Sequence, residues 1–174
     1  MRILVTGGVR SGKSRHAEAL LADAGRVTYV APGRAADGSD PDWDDRVAAH
    51  RARRSSDWQT VETADLTGAL AAVDGPVLVD CLSTWVVAVV DDAGLWEARS
   101  ADVHDLVGAR VDALCDVLER MPQAVIVTNE VGLGVVPAHR SGVLFRDLLG
   151  TVNQRVAAVC GEVHLVIAGR VLRL

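Results

Sequence analysis

Gly7-Gly8-Val9-Arg10-Ser11-Gly12-Lys13-Ser14 is the stretch from which the rest of this chain is read. It fits the pattern G-x-x-x-x-G-K-[ST], follows the apolar run Ile3-Leu4-Val5, and precedes a helix-forming stretch from Arg15 to Ala24. Strand, glycine-rich loop and helix in that order make a phosphate cradle. Glycines let backbone N–H groups turn inward, and the new helix aims its positive end at the same point. Lys13 would neutralise the outer phosphates and Ser14 would hold a magnesium ion. Of eighteen basic residues, Lys13 is the only lysine, so this position prefers an ammonium to a guanidinium.

The remainder of the sequence sets limits around that site. With 174 residues, the chain has room for one core and not for two, so residues 1–174 are expected to form a single nucleotide-binding domain. It is 49 % hydrophobic but only 3 % aromatic, the aliphatic bias of an α/β protein with a buried parallel sheet. A net charge of −5 argues against a general nucleic-acid binder. Cys81, Cys115 and Cys160 lack metal-ligand spacing and read as small buried residues in a reducing compartment. The longest apolar run, Val86 to Val90, is far too short for a membrane span, and no signal precedes the first strand, so a cytoplasmic protein is expected.

A second strand, Val27 to Ala31, completes a βαβ unit, and residues 32–40 have loop composition. Asp40-Pro41 then marks a helix start, with Asp at the cap and Pro in the first turn. The helix expected from Asp42 to Arg54 places Arg46, His50 and Arg53/Arg54 on one face. Two readings are open: a solvated basic face, or a second phosphate surface centred on an imidazole. In the second, the arginines would disfavour the charged form of His50 and leave a nucleophilic neutral ring.

Trp58 to Glu62 reads as an edge strand whose Glu62 either stays structural or reaches a ligand. Val77-Leu78-Val79-Asp80 is a buried strand closed by an acid, the usual place for a carboxylate that helps hold magnesium. Further helices are expected over Leu66 to Val73, Leu82 to Val90, a stripe from Val103 to Leu118, and another from Leu144 to Val159. The strand Ala124 to Thr128 ends in Asn129-Glu130, which shares the crevice beyond the strand ends with residues 7–14 and Asp80. Glu130 is there either a metal or substrate contact or a loop cap. Val163 to Ala168 and Val171 to Leu174 form a terminal hairpin, giving a three-layer P-loop (RecA-like) domain with a mostly parallel sheet and an antiparallel C-terminal edge.

These landmarks together resemble the adenosylcobinamide kinase / adenosylcobinamide-phosphate guanylyltransferase family. The resemblance rests on the loop with Arg15-His16-Ala17-Glu18, on Arg46-Val47-Ala48-Ala49-His50, and on Trp58-Gln59-Thr60-Val61-Glu62. It continues through Val79-Asp80-Cys81-Leu82, Asn129-Glu130-Val131-Gly132 up to Pro137, Phe145-Arg146-Asp147, and Val152-Asn153-Gln154-Arg155. It implies a homotrimeric enzyme of cobalamin assembly that phosphorylates adenosylcobinamide with ATP or GTP. A histidine, here His50, would then take GMP from GTP and pass it to adenosylcobinamide phosphate, with the corrinoid bound between subunits. Nucleotide contacts carried over are Gly7, Gly8, Val9, Arg10, Ser11, Gly12, Lys13, Ser14, Pro32, Gly33, Arg34, Arg51, Ala52, Arg53, Arg54, Glu62 and Asp80. Lys13 and His50 are the catalytic candidates, Ser14 and Asp80 the magnesium candidates, and Arg46 and Glu130 the substrate candidates. Three departures stand out: Ala49-His50 replaces the paired histidines of some members, residues 32–40 match poorly, and the C-terminal hairpin diverges.

Two other classes are weighed against this one. A plain small-molecule kinase would use the loop and Asp80 without a covalent intermediate. A GTP-binding switch reads guanine with Asn-Lys-x-Asp, which a chain whose only lysine is Lys13 cannot contain.

Overall fold

The architecture follows from where aliphatic strands can be buried. In a computed structural model of the chain, seven strands form one sheet in the order β3-β2-β4-β5-β1-β6-β7. The structure describes all residues except 34–37, 39 and 53, and of residues 43, 46 and 50 it describes the backbone alone. The strands are β1 (Arg2–Thr6), β2 (Thr28–Ala31), β3 (Gln59–Glu62), β4 (Val77–Asp80), β5 (Ala124–Val127), β6 (Glu162–Ile167) and β7 (Arg170–Arg173). All neighbours pair in parallel except β6 and β7, the hairpin expected at the C-terminus.

Three layers result because successive strand residues face opposite sides. Leu4, Val77, Val79, Ala124 and Ile126 face one side, against α3 (Leu66–Ala71), α4 (Leu82–Ala93), α5 (Ser100–Arg120) and α6 (Arg140–Val159). Ile3, Val5, Tyr29, Leu78, Val125 and Val127 face the other, where Ala17 and Leu21 cover them from α1 (Lys13–Ala19) and the turn after it. α1 is shorter than the sequence suggested, because its backbone bonding tightens to three-residue turns, Leu21 N–H to Glu18 O and Ala24 N–H to Leu21 O. α4 in contrast runs three residues past Val90, to a left-handed cap at Gly94.

The helix α2 (Pro41–Ala52) stands apart. It begins where Asp40-Pro41 placed it, with Asp44 N–H bonded to Asp40 O at 3.0 Å, but none of its described residues enters either apolar core. β3 is the expected edge strand. The three cysteines are free and half-buried rather than buried, and burial pushes the Cys115 thiol up to about 11 and that of Cys160 to about 12, away from the reactive thiolate. Among the described residues, no helix is long and apolar enough to cross a membrane.

Candidate active site

The loop between β1 and α1 is built from close backbone approaches. A Cβ on Gly7 would lie 2.4 Å from Val166 O and 2.7 Å from Ser11 Oγ, so only glycine fits between β6 and the turn of the loop. Gly12 caps α1 at φ +97°, a left-handed value that glycine adopts without steric cost. Gly8 has no such constraint: its Cβ would meet nothing within 4 Å among the described residues, so none of them requires a glycine there. A ligand that must come up against the backbone does require one. Ser11 Oγ, moreover, is buried and has no hydrogen-bond partner among the described residues. The open Gly8 face and the orphaned hydroxyl are what a cradle for a phosphate would show.

Neighbouring strand ends fasten this loop. Glu130 N–H bonds Gly7 O at 3.1 Å, and Gly169 N–H, in the β6–β7 turn, bonds Ser11 O at 2.8 Å. Lys13 is buried, 7 % exposed, and its Nζ donates to Gly8 O at 3.1 Å, which lays the ammonium along the inside of the loop. Ser14 is half-buried in the first turn of α1 and Asp80 half-buried at the end of β4. Among the described residues no group of three or more His, Cys, Asp or Glu side chains is placed to hold a metal. One hydroxyl and one carboxylate suit a magnesium ion that arrives with phosphate oxygens and water, not one the protein holds alone.

The other expected residues are distributed unevenly. Pro32 is buried, and a Cβ on Gly33 would press Thr84 Cβ at 3.0 Å, so this pair lies against the start of α4. Val9 is 75 % exposed and Arg10, also exposed, has a positive φ of 55°. Ala52 ends α2 and is exposed. The structure brings Arg51 and Glu62 to each other as an ion pair. Arg54 stacks its guanidinium 3.6 Å over the Tyr29 ring and donates to Thr60 Oγ1 at 3.0 Å. Glu130 Oε1 accepts from Gly132 N–H at 2.6 Å, which makes it a cap of its own loop. Arg34, Arg53 and the side chains of Arg46 and His50 lie outside the described residues, although the backbone of His50 sits in the last turn of α2.

Three features of the site escaped sequence reasoning. Tyr29 Oη donates to Asp80 Oδ2 at 3.2 Å, and burial first, then the Asp80 charge, push its phenol well above the usual range, so it stays a donor. A chain of polar groups runs under the β4 and β5 ends: Thr128 Oγ1 to Asn153 Oδ1 at 2.6 Å, Asn153 Nδ2 to Asn129 O at 3.0 Å, and Asn129 Nδ2 to Ser83 Oγ at 2.6 Å. It holds the backbone next to Glu130 in place. Below α1, His16 Nε2 and the buried His164 Nδ1 face each other at 2.8 Å, and His164 Nε2 meets Glu162 Oε2 at 2.9 Å. The only signal for Tyr29 was alternation: residues 78 and 80 share a face of β4, toward which a neighbouring strand's tyrosine can point.

A glycine-rich cradle at the end of an inner strand of a mostly parallel sheet, with a buried lysine and a carboxylate on the neighbouring strand but one, defines a P-loop nucleotide-binding protein. The chain belongs, more narrowly, to the cobinamide kinase / cobinamide phosphate guanyltransferase family, whose model matches residues 3–174. It is 39 % identical over 180 residues to the bifunctional adenosylcobalamin biosynthesis protein CobU of Escherichia coli, with 97 % of each chain covered. The CobU of Salmonella typhimurium is also 39 % identical, over 97 % of both chains, and the CobP of Pseudomonas aeruginosa is 37 % identical, over 97 % of this chain and 94 % of its own. Among solved structures, the P4 protein of bacteriophage phi6 in complex with ADP covers 98 % of this chain but 52 % of its own, at 17 % identity and a TM-score of 0.42, too slight a likeness to add to the topology.

The two glycines separate by experiment. Gly7→Ala should lower stability in urea unfolding, since Val166 O cannot yield without disturbing β6. Gly8→Ala should unfold like wild type yet weaken GTP binding by about tenfold or more in a calorimetric titration. Equal binding by Gly8→Ala and wild type would remove the cradle reading.

The histidine pair sets a pH dependence. Burial first, then His164 and Arg173, lower the pKa of His16 from its ordinary 6.5. The hydrogen bond from His164 first, then the charges of His164 and Arg173, lower that of Glu162, a fully exposed carboxylate. Below about pH 6.5 the unfolded chain takes up a proton that folded His16 refuses, so stability is lost as pH falls. The Glu162 contribution has the same sign: it is present above 4.5 and lost in stronger acid. Urea midpoints measured from pH 8 to 5 should therefore decline from near pH 6.5, and His16→Gln should flatten that part of the curve.

Proposed function

We propose that one site on this chain carries out both reactions of its family, with the loop 7–14 gripping the triphosphate and His50 receiving GMP. The observation that carries this reading is the open cradle at Gly8 beside the buried Lys13, combined with a family match that spans the chain. In the first reaction, the alcohol oxygen of adenosylcobinamide attacks the γ-phosphorus of ATP or GTP. Its proton leaves, the bond to the bridging oxygen breaks, and a nucleoside diphosphate departs. Little covalent chemistry is asked of the protein; positioning and charge neutralisation by Lys13 and the loop N–H groups suffice.

In the second reaction, a neutral His50 nitrogen attacks the α-phosphorus of GTP and pyrophosphate leaves, giving a phosphoramidate. An oxygen of adenosylcobinamide phosphate then attacks the same phosphorus, the P–N bond breaks, and adenosylcobinamide-GDP is released with His50 restored. Magnesium, held by Ser14, Asp80 and the phosphates, would supply countercharge on the leaving oxygens. Arginines near the end of α2 would screen the charge that builds on the α-phosphoryl group.

The same reading makes the enzyme one nucleotide-binding domain that works as a cytoplasmic homotrimer, with the corrinoid between subunits. The loop after β5 supports a covered face: Leu133 is 88 % and Val135 94 % exposed.

Incubation with α-labelled GTP should leave acid-labile, alkali-stable label on the peptide containing His50. His50→Ala should abolish guanylyl transfer and spare phosphorylation of adenosylcobinamide. Unlabelled protein under conditions of turnover, or a His50→Ala variant with both activities intact, would leave only a plain kinase.

A further inference from the structure

The helix that carries His50 has no described side chain in the apolar cores, so something else must fasten it to the sheet. The described ties from its C-terminal end to the sheet are polar: Arg51 to Glu62, Arg54 to Thr60, and the Arg54 guanidinium on the face of Tyr29. Of the groups at the sheet end of these ties, Glu62 and Thr60 lie on the exposed edge strand, and Tyr29 alone is buried, 3 % exposed. A phenol fixed on an inner strand is a rigid platform. Its edge is occupied as well, for the hydroxyl donates to Asp80 at 3.2 Å.

We infer that Tyr29 is a positioning residue that couples the two halves of the site, its hydroxyl orienting Asp80 at the triphosphate and its ring seating Arg54, and with it the end of the His50 helix. The inference rests on the functional reading above and extends it. Both contacts use different parts of one side chain, so they separate by substitution. Tyr29→Phe keeps the ring and its stack on Arg54 but loses the hydrogen bond to Asp80. Tyr29→Leu loses both. Asp80 serves whichever phosphorus reacts, because both reactions use the same triphosphate grip. Tyr29→Phe should therefore slow phosphorylation and guanylylation alike, leaving their ratio near that of wild type. Tyr29→Leu should in addition lower guanylylation relative to phosphorylation by roughly tenfold, the size of a part-buried cation–π contact.

Tyr29 is the only tyrosine, so biosynthetic 3-fluorotyrosine gives one fluorine resonance that reports on this residue without reference to activity. Asp80→Asn and Arg54→Ala should each move that resonance in the nucleotide-free protein, since each removes one of its neighbours. In a double-mutant cycle on the rate of His50 labelling, Tyr29→Leu and Arg54→Ala should be strongly non-additive, the pair costing little more than Tyr29→Leu alone, which already removes both contacts. Arg54→Ala and Asp80→Asn leave the core phenol in place, so the resonance test stands even if Tyr29→Leu folds poorly. A resonance indifferent to both Asp80→Asn and Arg54→Ala would overturn the inference, as would additive losses in the cycle or a Tyr29→Leu ratio equal to wild type while wild type labels normally. A wild-type protein that turns over without labelling His50 would instead sink the functional reading itself.

Discussion

Two backbone hydrogen bonds hold this molecule's chemistry in place. Glu130 N–H on Gly7 O and Gly169 N–H on Ser11 O tie the phosphate loop to the segments that follow β5 and β6. Those strands are the parallel neighbours of β1, so the three strand ends meet at one edge of the sheet. A loop rich in glycine has much conformational freedom to lose, and would not by itself keep its N–H groups aimed at one point. Here the neighbours restrain it: Val166 O fills the space a side chain at position 7 would need, and the β6–β7 turn closes over Gly12. The C-terminal hairpin, which looks like mere edge completion, is thereby part of the site. Ala168 and Gly169 both take positive φ, which turns the chain back tightly enough to put the Gly169 N–H within reach of the loop.

The site joins two elements held by different forces. α1 is seated by apolar burial, Ala17 and Leu21 packing on the strands that bear the loop, and hydrophobic packing of that kind is insensitive to charge and salt. Among the described residues, α2 is held at its C-terminal end by an ion pair and a hydroxyl contact on the exposed edge strand and by a cation–π stack on the buried Tyr29. The two exposed contacts contribute about 1 kcal/mol or less each and the part-buried stack about 1–2 kcal/mol, against about 1.5–3 kcal/mol for every leucine or valine that seats a helix in the core. The loop proposed to grip the triphosphate is thus rigid by construction, whereas the described ties of the helix bearing His50 are weak and directional. Directional contacts set angle better than they set stability. That property suits a nucleophile whose alignment, more than its strength, decides whether it reacts.

Much of this was legible in the sequence, for identifiable physical reasons. Buried parallel strands must be aliphatic on both faces, so Ile3-Leu4-Val5, Val77-Leu78-Val79 and Ala124 to Val127 stood out as strands. The loop and the Asp40-Pro41 helix start are local chemistry, readable within a few residues. Contacts between distant polar side chains are not local. His16 and His164 are 148 residues apart, and nothing in either neighbourhood announces the pair. Arg51, Arg54 and Glu62 were assigned to a nucleotide by the family resemblance, and the spacing around Glu62 left its role open. The structure adds that Arg51 and Glu62 pair with each other, and sequence order carries no information about which of two attractive partners a charge will choose. Tyr29 was passed over because a tyrosine inside an apolar strand counts as hydrophobic filling until its hydroxyl has a partner.

These differences bear on how one cradle can serve two reactions. Phosphoryl transfer and nucleotidyl transfer from GTP differ in which phosphorus is attacked and from where, not in the charge that must be stabilised. A fixed grip on the triphosphate is therefore common to both, and the choice between them falls to the groups that bring a nucleophile into line. In the proposed scheme one nucleophile, the corrinoid alcohol, is diffusible, and the other, His50, is carried by the protein on a helix none of whose described residues enters an apolar core. If the fold buried that helix in the core, the imidazole would stand permanently in line with the α-phosphorus and compete with the alcohol for every GTP bound. Polar seating through Arg51 and Arg54 leaves its register to a balance of contacts of modest strength, one that occupancy of the site by one substrate or the other is energetically able to tip.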